Sequence, residues 1–292
     1  MALALAVDIG GTKLGSGLDD EKGTLIAAER VPTPNGADAE ELFAALVSLV
    51  DEVRAGAASP PEVCGVGSGG PMTSGGEQVS PLNIPGWRGF PLRSRLAAHL
   101  GLTTIVDNDA KALALGEGWV GAARGVRSYV GMVVSTGIGG GIVLNGRLLD
   151  GDGGNAGHIG HVIVEPGGLL CACGARGCLE AEASGTAIRA ITGHPAAQAP
   201  PEVRRRTGRL VGRAVASVAS LLDLRLAVVA GSVALGYGAE FFGPAQEELD
   251  RSACLEFSRG ARIVPGLLGA DGPLVGAAAV GWRGLGRDIG IG

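Results

Sequence analysis

Three of the five cysteines in this 292-residue chain, Cys171, Cys173 and Cys178, fall close together, and two of its four histidines, His158 and His161, lie just upstream. Glycines separate nearly all of these side chains, so the backbone there can turn tightly enough to aim several of them at one point. Thiolates are soft ligands and imidazole is borderline, and together they suit zinc. The stretch reads as a closed four-ligand zinc site built from the three cysteines and one histidine. Its spacing is not the usual two-residue knuckle. Two alternatives therefore stand beside it: buried apolar thiols, or disulfides, which fit poorly with a chain that otherwise has nothing secreted about it.

Three further clusters put polar groups on glycine turns. Asp8-Ile9-Gly10-Gly11-Thr12-Lys13 ends a short apolar run. Backbone N–H groups in such a turn form an anion-binding concavity. Lys13 adds positive charge, and Asp8 can hold magnesium through water. The glycine spacing is not that of a Walker P-loop, and an ordinary hairpin turn is the plain alternative. Ser135-Thr136-Gly137-Ile138-Gly139-Gly140-Gly141 is either a second phosphate cradle or a flexible hairpin. A dinucleotide fingerprint is disfavoured there, because a strand rather than a helix follows. Asp107-Asn108-Asp109 ends another apolar run, at the place where α/β folds put ligands. Asp109 can take the proton of a hydroxyl attacking phosphorus; helix capping competes for the same residues. Gly231-Ser232 would let an adenine or ribose lie against the backbone. Gly70 and the Gly/Pro-rich loop holding Asn83 and Trp87 are read as lying near a site, with Trp87 either stacked on a sugar or in the core.

These residues need elements to place them. The predicted strands are 3–8, 63–67, 104–106, 129–134, 141–144, 226–229 and 261–264, with a hairpin of 14–18 and 24–30 around Asp19-Asp20 and Gly23. Asp38 and Glu41 have capping-box spacing, ahead of a helix whose stripe is Phe43, Leu46, Val47, Val50 and Val53. Further helices are expected at 92–100, 110–118, 183–193, 202–222, 239–250 and 272–282. Strands alternating with helices indicate an α/β fold. Two halves are suggested, each opening with strands and a glycine turn, and the two turns facing across a cleft would clamp a polyphosphate.

Composition narrows the function. The hydrophobic fraction is 46% but aromatics are only 3%, so the core must be built from Ala, Val, Leu and Ile. The 53 glycines are not periodic, and point to tight turns and close backbone approaches. A net charge of −5 with no basic run beyond Arg204-Arg205-Arg206 argues against a nucleic-acid partner. No apolar stretch reaches membrane-spanning length free of glycine or charge. The N-terminus lacks a basic region and reads as a strand rather than a signal peptide. A cytoplasmic protein is expected, with Cys64 and Cys254 as packing residues.

DIGGTK at 8–13, DNDA at 107–110, STGIGGG at 135–141, GNAGHIGH at 154–161 and CACGARGCLE at 171–180, in this order, resemble the ROK family of repressors, open reading frames and sugar kinases. The likeness covers essentially the whole chain and is strongest to the bacterial glucokinases of the family. It implies the actin-like, hexokinase-like (ribonuclease H-like) ATPase fold: two α/β domains, here 1–118 and 119–292, with ATP and sugar in the interdomain cleft and the last helix packing back on the first domain. By position, Asp109 would be the general base toward the sugar 6-hydroxyl. Gly70, Asn83, Asn108, His158, His161 and Glu180 would contact the sugar. Asp8, Gly10, Gly11, Thr12, Lys13, Thr136, Gly137 and Gly231 would hold Mg-ATP, with Asp8 reaching Mg2+ through water. His161, Cys171, Cys173 and Cys178 would close a structural zinc site that pins a loop against the sugar.

One departure stands out. The family usually has GExGH, and here His158 replaces the Glu. A carboxylate only accepts hydrogen bonds, whereas neutral imidazole both donates and accepts. The implied activity is phosphorylation of glucose or a related hexose. The alternatives are an amino or N-acetylated hexosamine as substrate, polyphosphate as donor, a catalytically silent sugar binder, or a sugar-responsive regulator. For that last class the expected DNA-binding segment has no room ahead of Asp8. The resemblance also implies a homodimer or homotetramer.

Overall fold

In the computed structural model, which describes residues 1–291, the chain builds two five-stranded sheets with the same plan. The first holds β1 (Leu3–Ile9), β2 (Lys13–Asp20), β3 (Leu25–Pro32), β4 (Val63–Ser68) and β5 (Thr104–Asn108), in the order β3-β2-β1-β4-β5. The second holds β6 (Tyr129–Val134), β7 (Ile138–Leu144), β8 (Arg147–Leu148), β9 (Leu226–Ala230) and β10 (Arg262–Pro265), in the order β10-β9-β6-β7-β8. In each sheet the first three strands form an antiparallel meander and the last two add in parallel to the first. Parallel strands need crossover connections. These are α1 (Ala39–Ala55) and α2 (Leu92–Leu100) in the first half. In the second they are α4 (Leu179–Ala183), α5 (Gly185–Thr192) and α6 (Pro201–Leu222), then α7 (Ser232–Tyr237) and α8 (Ala239–Ser252).

Local signals account for most of these elements. Asp38 accepts from Glu41 N at 2.9 Å and Glu41 reaches back to Asp38 N at 3.1 Å, which starts α1. The helix buries Leu42, Phe43, Leu46, Leu49, Val50 and Val53; Val47 is only half-buried. Gly193 in the left-handed region ends α5. Other details differ from the sequence reading. β7 starts at Ile138 rather than Gly141, because Gly139 and Gly140 pair with Val133 and Met132. The helix expected at 183–193 breaks at Ser184, whose hydroxyl caps α5 by accepting from Ala187 N at 3.1 Å. β2 continues through Asp20, so only Asp20 works the hairpin turn, accepting from Lys22 N and Thr24 N at 2.8 Å each. Asp19 is buried inside the sheet layer.

The final helix of each half crosses to the other. α3 (Asp109–Trp119) packs on β6 and β7, and α9 (Gly272–Gly284) packs on β1, β4 and β5. Small residues permit this. A Cβ on Gly65 of β4 would run into the Ala277 carbonyl oxygen, and one on Gly116 of α3 would lie 3.0 Å from Gly276 N of α9. One apolar cluster joins β1, β4, α3, α9 and the second sheet, and separate clusters fill the space under α1 and α2 and under α6 and α8. Among the described residues no helix is long and apolar enough to cross a membrane.

Candidate active site and metal centre

The C-terminal edge of the first sheet faces the cleft. Asn108 ends β5 and caps α3, its Oδ1 accepting from Ala110 N at 3.0 Å. The next residue, Asp109, opens onto the cleft and accepts from Ala110 N at 2.8 Å. Capping and carboxylate chemistry thus fall to neighbouring residues. Asn108 keeps Nδ2 free of the cap, near Gly70 of the loop after β4. Protein crowding around the Asp109 carboxyl raises its pKa, against the pull of the Ala110 N–H and of His158. Asp8, at the matching end of β1, is pushed up to about 7 by burial and then by Asp109, with Arg30 opposing. The two carboxylates sense each other across β4.

Two turns flank them. In Gly10–Lys13, Gly10 N donates to Lys13 O at 3.0 Å and Thr33 Oγ1 donates to Gly10 O at 2.7 Å, leaving Thr12 and Lys13 exposed. Asn83 packs down on Gly11, where an added Cβ would meet the Asn83 Cβ at 2.6 Å. In the second turn Ser135 N donates to Gly137 O at 2.9 Å, and Thr186 Oγ1 donates to Thr136 O at 2.9 Å. Gly231, at the end of β9, has φ +99 and abuts the Val134 carbonyl, a backbone state reserved for glycine. The neighbouring Ser232 hydroxyl lies 2.9 Å from that of Ser135, which stitches β6 to β9.

The three cysteines and His161 converge. Their donor atoms all lie within 4.8 Å of one another, with Cys171 Sγ to His161 Nδ1 and Cys173 Sγ to Cys178 Sγ both 3.7 Å. A tetrahedral zinc ion with Zn–S about 2.3 Å needs ligand separations of roughly 3.8 Å, so the set fits zinc. The sulfurs are too far apart for disulfides, and all five cysteines are free thiols. Cys64 is buried, but Cys254 is exposed rather than packed. Four protein donors fill the coordination shell, which makes this a structural site. The loop carrying it is tied elsewhere as well: Glu182 accepts from Leu169 N at 2.6 Å and pairs with Arg206 at 2.6 Å.

With Nδ1 turned to the thiols, His161 keeps Nε2 for other work. Glu180, two residues past Cys178, reaches the second turn and accepts from Ile138 N at 3.0 Å. That single bond joins the segment after the zinc loop to the first residue of β7. His158 lines a small cleft with Gly70, Met72, Asn108, Asn155 and Ala156. Burial and then His161 lower its pKa, against Asp109 and Glu180, which favours a neutral ring. Trp87 takes no part: it is fully buried, stacked on Phe90 at 4.4 Å, and donates to Ala39 O. Sequence reasoning passed over Lys111, which also lines the cleft; its one signal was a lysine four residues after Asp107.

Two sheets of repeated topology, with glycine turns at their facing edges and crossed terminal helices, define the actin-like ATPase architecture. The ROK family matches residues 4–282, and the chain belongs to that family. It is 32% identical to a glucokinase of Thermotoga maritima, covering 94% of this chain and 96% of that one. It is 36% identical to an N-acetylmannosamine kinase of Yersinia pseudotuberculosis over 82% of this chain and 86% of that one. A ROK family glucokinase from Streptomyces griseus, solved with glucose and AMPPNP, superposes with a TM-score of 0.84 at 30% identity, covering 97% of this chain and 100% of the other.

Proposed function

We propose that the protein is an ATP-dependent sugar kinase that phosphorylates the 6-hydroxyl of glucose or a related hexose, with Asp109 as general base. The observation that carries this reading is the placement of a pKa-raised carboxylate at the end of β5, beside the cleft lined by Gly70, Asn108 and His158. The sugar O6–H bond breaks toward Asp109 and O6 bonds to the γ-phosphorus. The bond to the β,γ-bridging oxygen breaks and ADP leaves. Gly10, Gly11, Thr12, Lys13, Thr136 and Gly137 hold the phosphates, and Gly231 lies against the adenosine. Mg2+, held through water by Asp8, would neutralise charge developing on the phosphates. Asn83, Asn108, His158, His161 and Glu180 fix the sugar hydroxyls, and the zinc loop positions the last two. The domains 1–118 and 119–292 form the walls of the cleft. A cytoplasmic homodimer or homotetramer completes the reading, and sedimentation checks the assembly.

A second substrate reading is favoured by one residue. His158 takes the place of the family's usual Glu, and the N-acetylmannosamine kinase relative is 36% identical. An N-acetylated hexosamine offers an amide that a neutral imidazole can face without charge. A coupled ADP-release assay across glucose, mannose, glucosamine and their N-acetyl derivatives decides between them. Turnover of no hexose with ATP sinks both readings, and an unchanged sugar preference in His158→Glu removes the second.

A further inference from the structure

One buried cation has no part in the chemistry above. Lys111, in the first turns of α3, has a side chain only 3% exposed. Its ammonium lies 2.8 Å from Asp107 and 2.8 Å from Asp150, and donates to the Gly154 carbonyl at 3.3 Å. Asp150 also lies 3.6 Å from Arg283 on α9. Asp107 is local to Lys111 in sequence. The other two partners both belong to the strap 150–156, which runs directly into His158 and lines the cleft with Gly154, Asn155 and Ala156.

The strap has little of its own to hold it. Gly151 and Gly154 sit at φ +73 and +79, and its internal backbone bonds are Gly154 N to Gly151 O at 3.3 Å and Ala156 N to Asp150 O at 3.0 Å. Glycine-rich backbone loses the most entropy on ordering. A buried ammonium is in turn costly unless fully paired. An apolar side chain would fill the same space in α3 without that cost, so stability alone does not explain a lysine here.

We propose that Lys111 is a positioning residue for sugar selection: through Asp150 and the Gly154 carbonyl it clamps the 150–156 strap onto α3 and so fixes Asn155, Ala156 and His158 around the sugar. This rests on the kinase reading above. With the clamp closed the sugar side of the cleft is narrow; released, it widens and discriminates less between hexoses that differ in one substituent.

Steady-state kinetics of Asp150→Asn, Lys111→Met and Lys111→Arg over the hexose panel test this. Asp150 has a side chain 51% exposed, and Lys111 keeps Asp107 in Asp150→Asn, so that variant folds; circular dichroism and zinc content verify it. The sugar KM rises ~10-fold in Asp150→Asn and further in Lys111→Met, while kcat and the ATP KM stay within about twofold. The kcat/KM ratio between the best and second-best hexose shrinks, and Lys111→Arg recovers part of it. A wild-type sugar KM and selectivity in folded Asp150→Asn overturns the proposal. So does a Lys111→Met defect that falls equally on kcat and ATP KM. If the wild-type chain phosphorylates no hexose, the kinase reading itself fails and takes this one with it.

Discussion

The two sheets repeat one topology but carry different chemistry. The edge of the first presents ionisable groups: Asp8, Lys13 and Asp109. The corresponding edge of the second presents Ser135, Thr136, Gly137, Gly231 and Ser232, with no charge among them. The scaffold supplies the same turn twice, and side chains alone divide the labour. In the function proposed above, the first half supplies the general base and the Mg2+ contact, and the second offers the nucleotide uncharged backbone and hydroxyls. The repeat breaks between β8 and α6, where the zinc loop enters, and from there Glu180 reaches back to the second turn. Under the proposed function this difference predicts that charge in the first half governs turnover and backbone shape in the second governs nucleotide affinity.

Removing the charge at Asp109 tests the division hardest. Asp109→Asn lowers kcat by ~10³-fold while substrate binding and zinc content hold, measured by ADP release and metal analysis. In the wild type, the base works only when deprotonated. Because its pKa is raised, kcat/KM for sugar falls as pH drops through that raised value, at a higher pH than an ordinary aspartate would give. Next comes the zinc loop. Cys178→Ser or chelation raises the sugar KM on the order of 100-fold with ATP KM little changed, since the loop carries His161 and Glu180. Equal damage to both substrates would deny the loop its separate role. In the second half, Gly231→Ala forces a side chain into φ +99 against the Val134 carbonyl. It raises ATP KM ~10-fold with kcat nearly kept. A kcat defect instead would erase the contrast between the halves.

The last effect is on stability and leaves turnover untouched. Where β7 ends in the apolar Ile142, Val143 and Leu144, the last residue but one of β2 is Asp19, fully buried and with neither carboxyl oxygen bonded. Burial, then Asp20 and Asp271, push its pKa from 3.8 to about 7. The folded chain therefore keeps this proton where the unfolded chain releases it. Stability is full below pH 3.8 and is lost as pH rises toward 7. Asp19→Asn stabilises by ~2 kcal/mol at pH 8, and the gain vanishes by pH 4; urea unfolding at the two values measures it.

Much of this was legible in the residues themselves. The Asp38–Glu41 box, the apolar runs of β1 and β6 and the glycine turns are local signals, and the cysteine cluster declared its chemistry by type. Contacts distant in sequence were not legible. Lys111 looks like a solvated helix position until the strap at 150–156 folds over it. Asp19 looks like half of a turn, because nothing nearby says that β2 runs on beneath α9. The split between α4 and α5 hangs on whether Ser184 turns its hydroxyl to its own backbone, which the helical pattern of 183–193 hides. Trp87 was ambiguous because only its stacking on Phe90 reveals a core residue.

The crossing of α3 and α9 accounts for part of the unusual glycine content. At Gly116 and Gly276 the main chains of the two helices rest on each other, while Leu113 of α3 seats its side chain against Gly272 of α9. One methyl group at Gly276 would run into the Ala112 carbonyl oxygen and push α9 off α3, so the seam joining the two sheets admits nothing larger than hydrogen there.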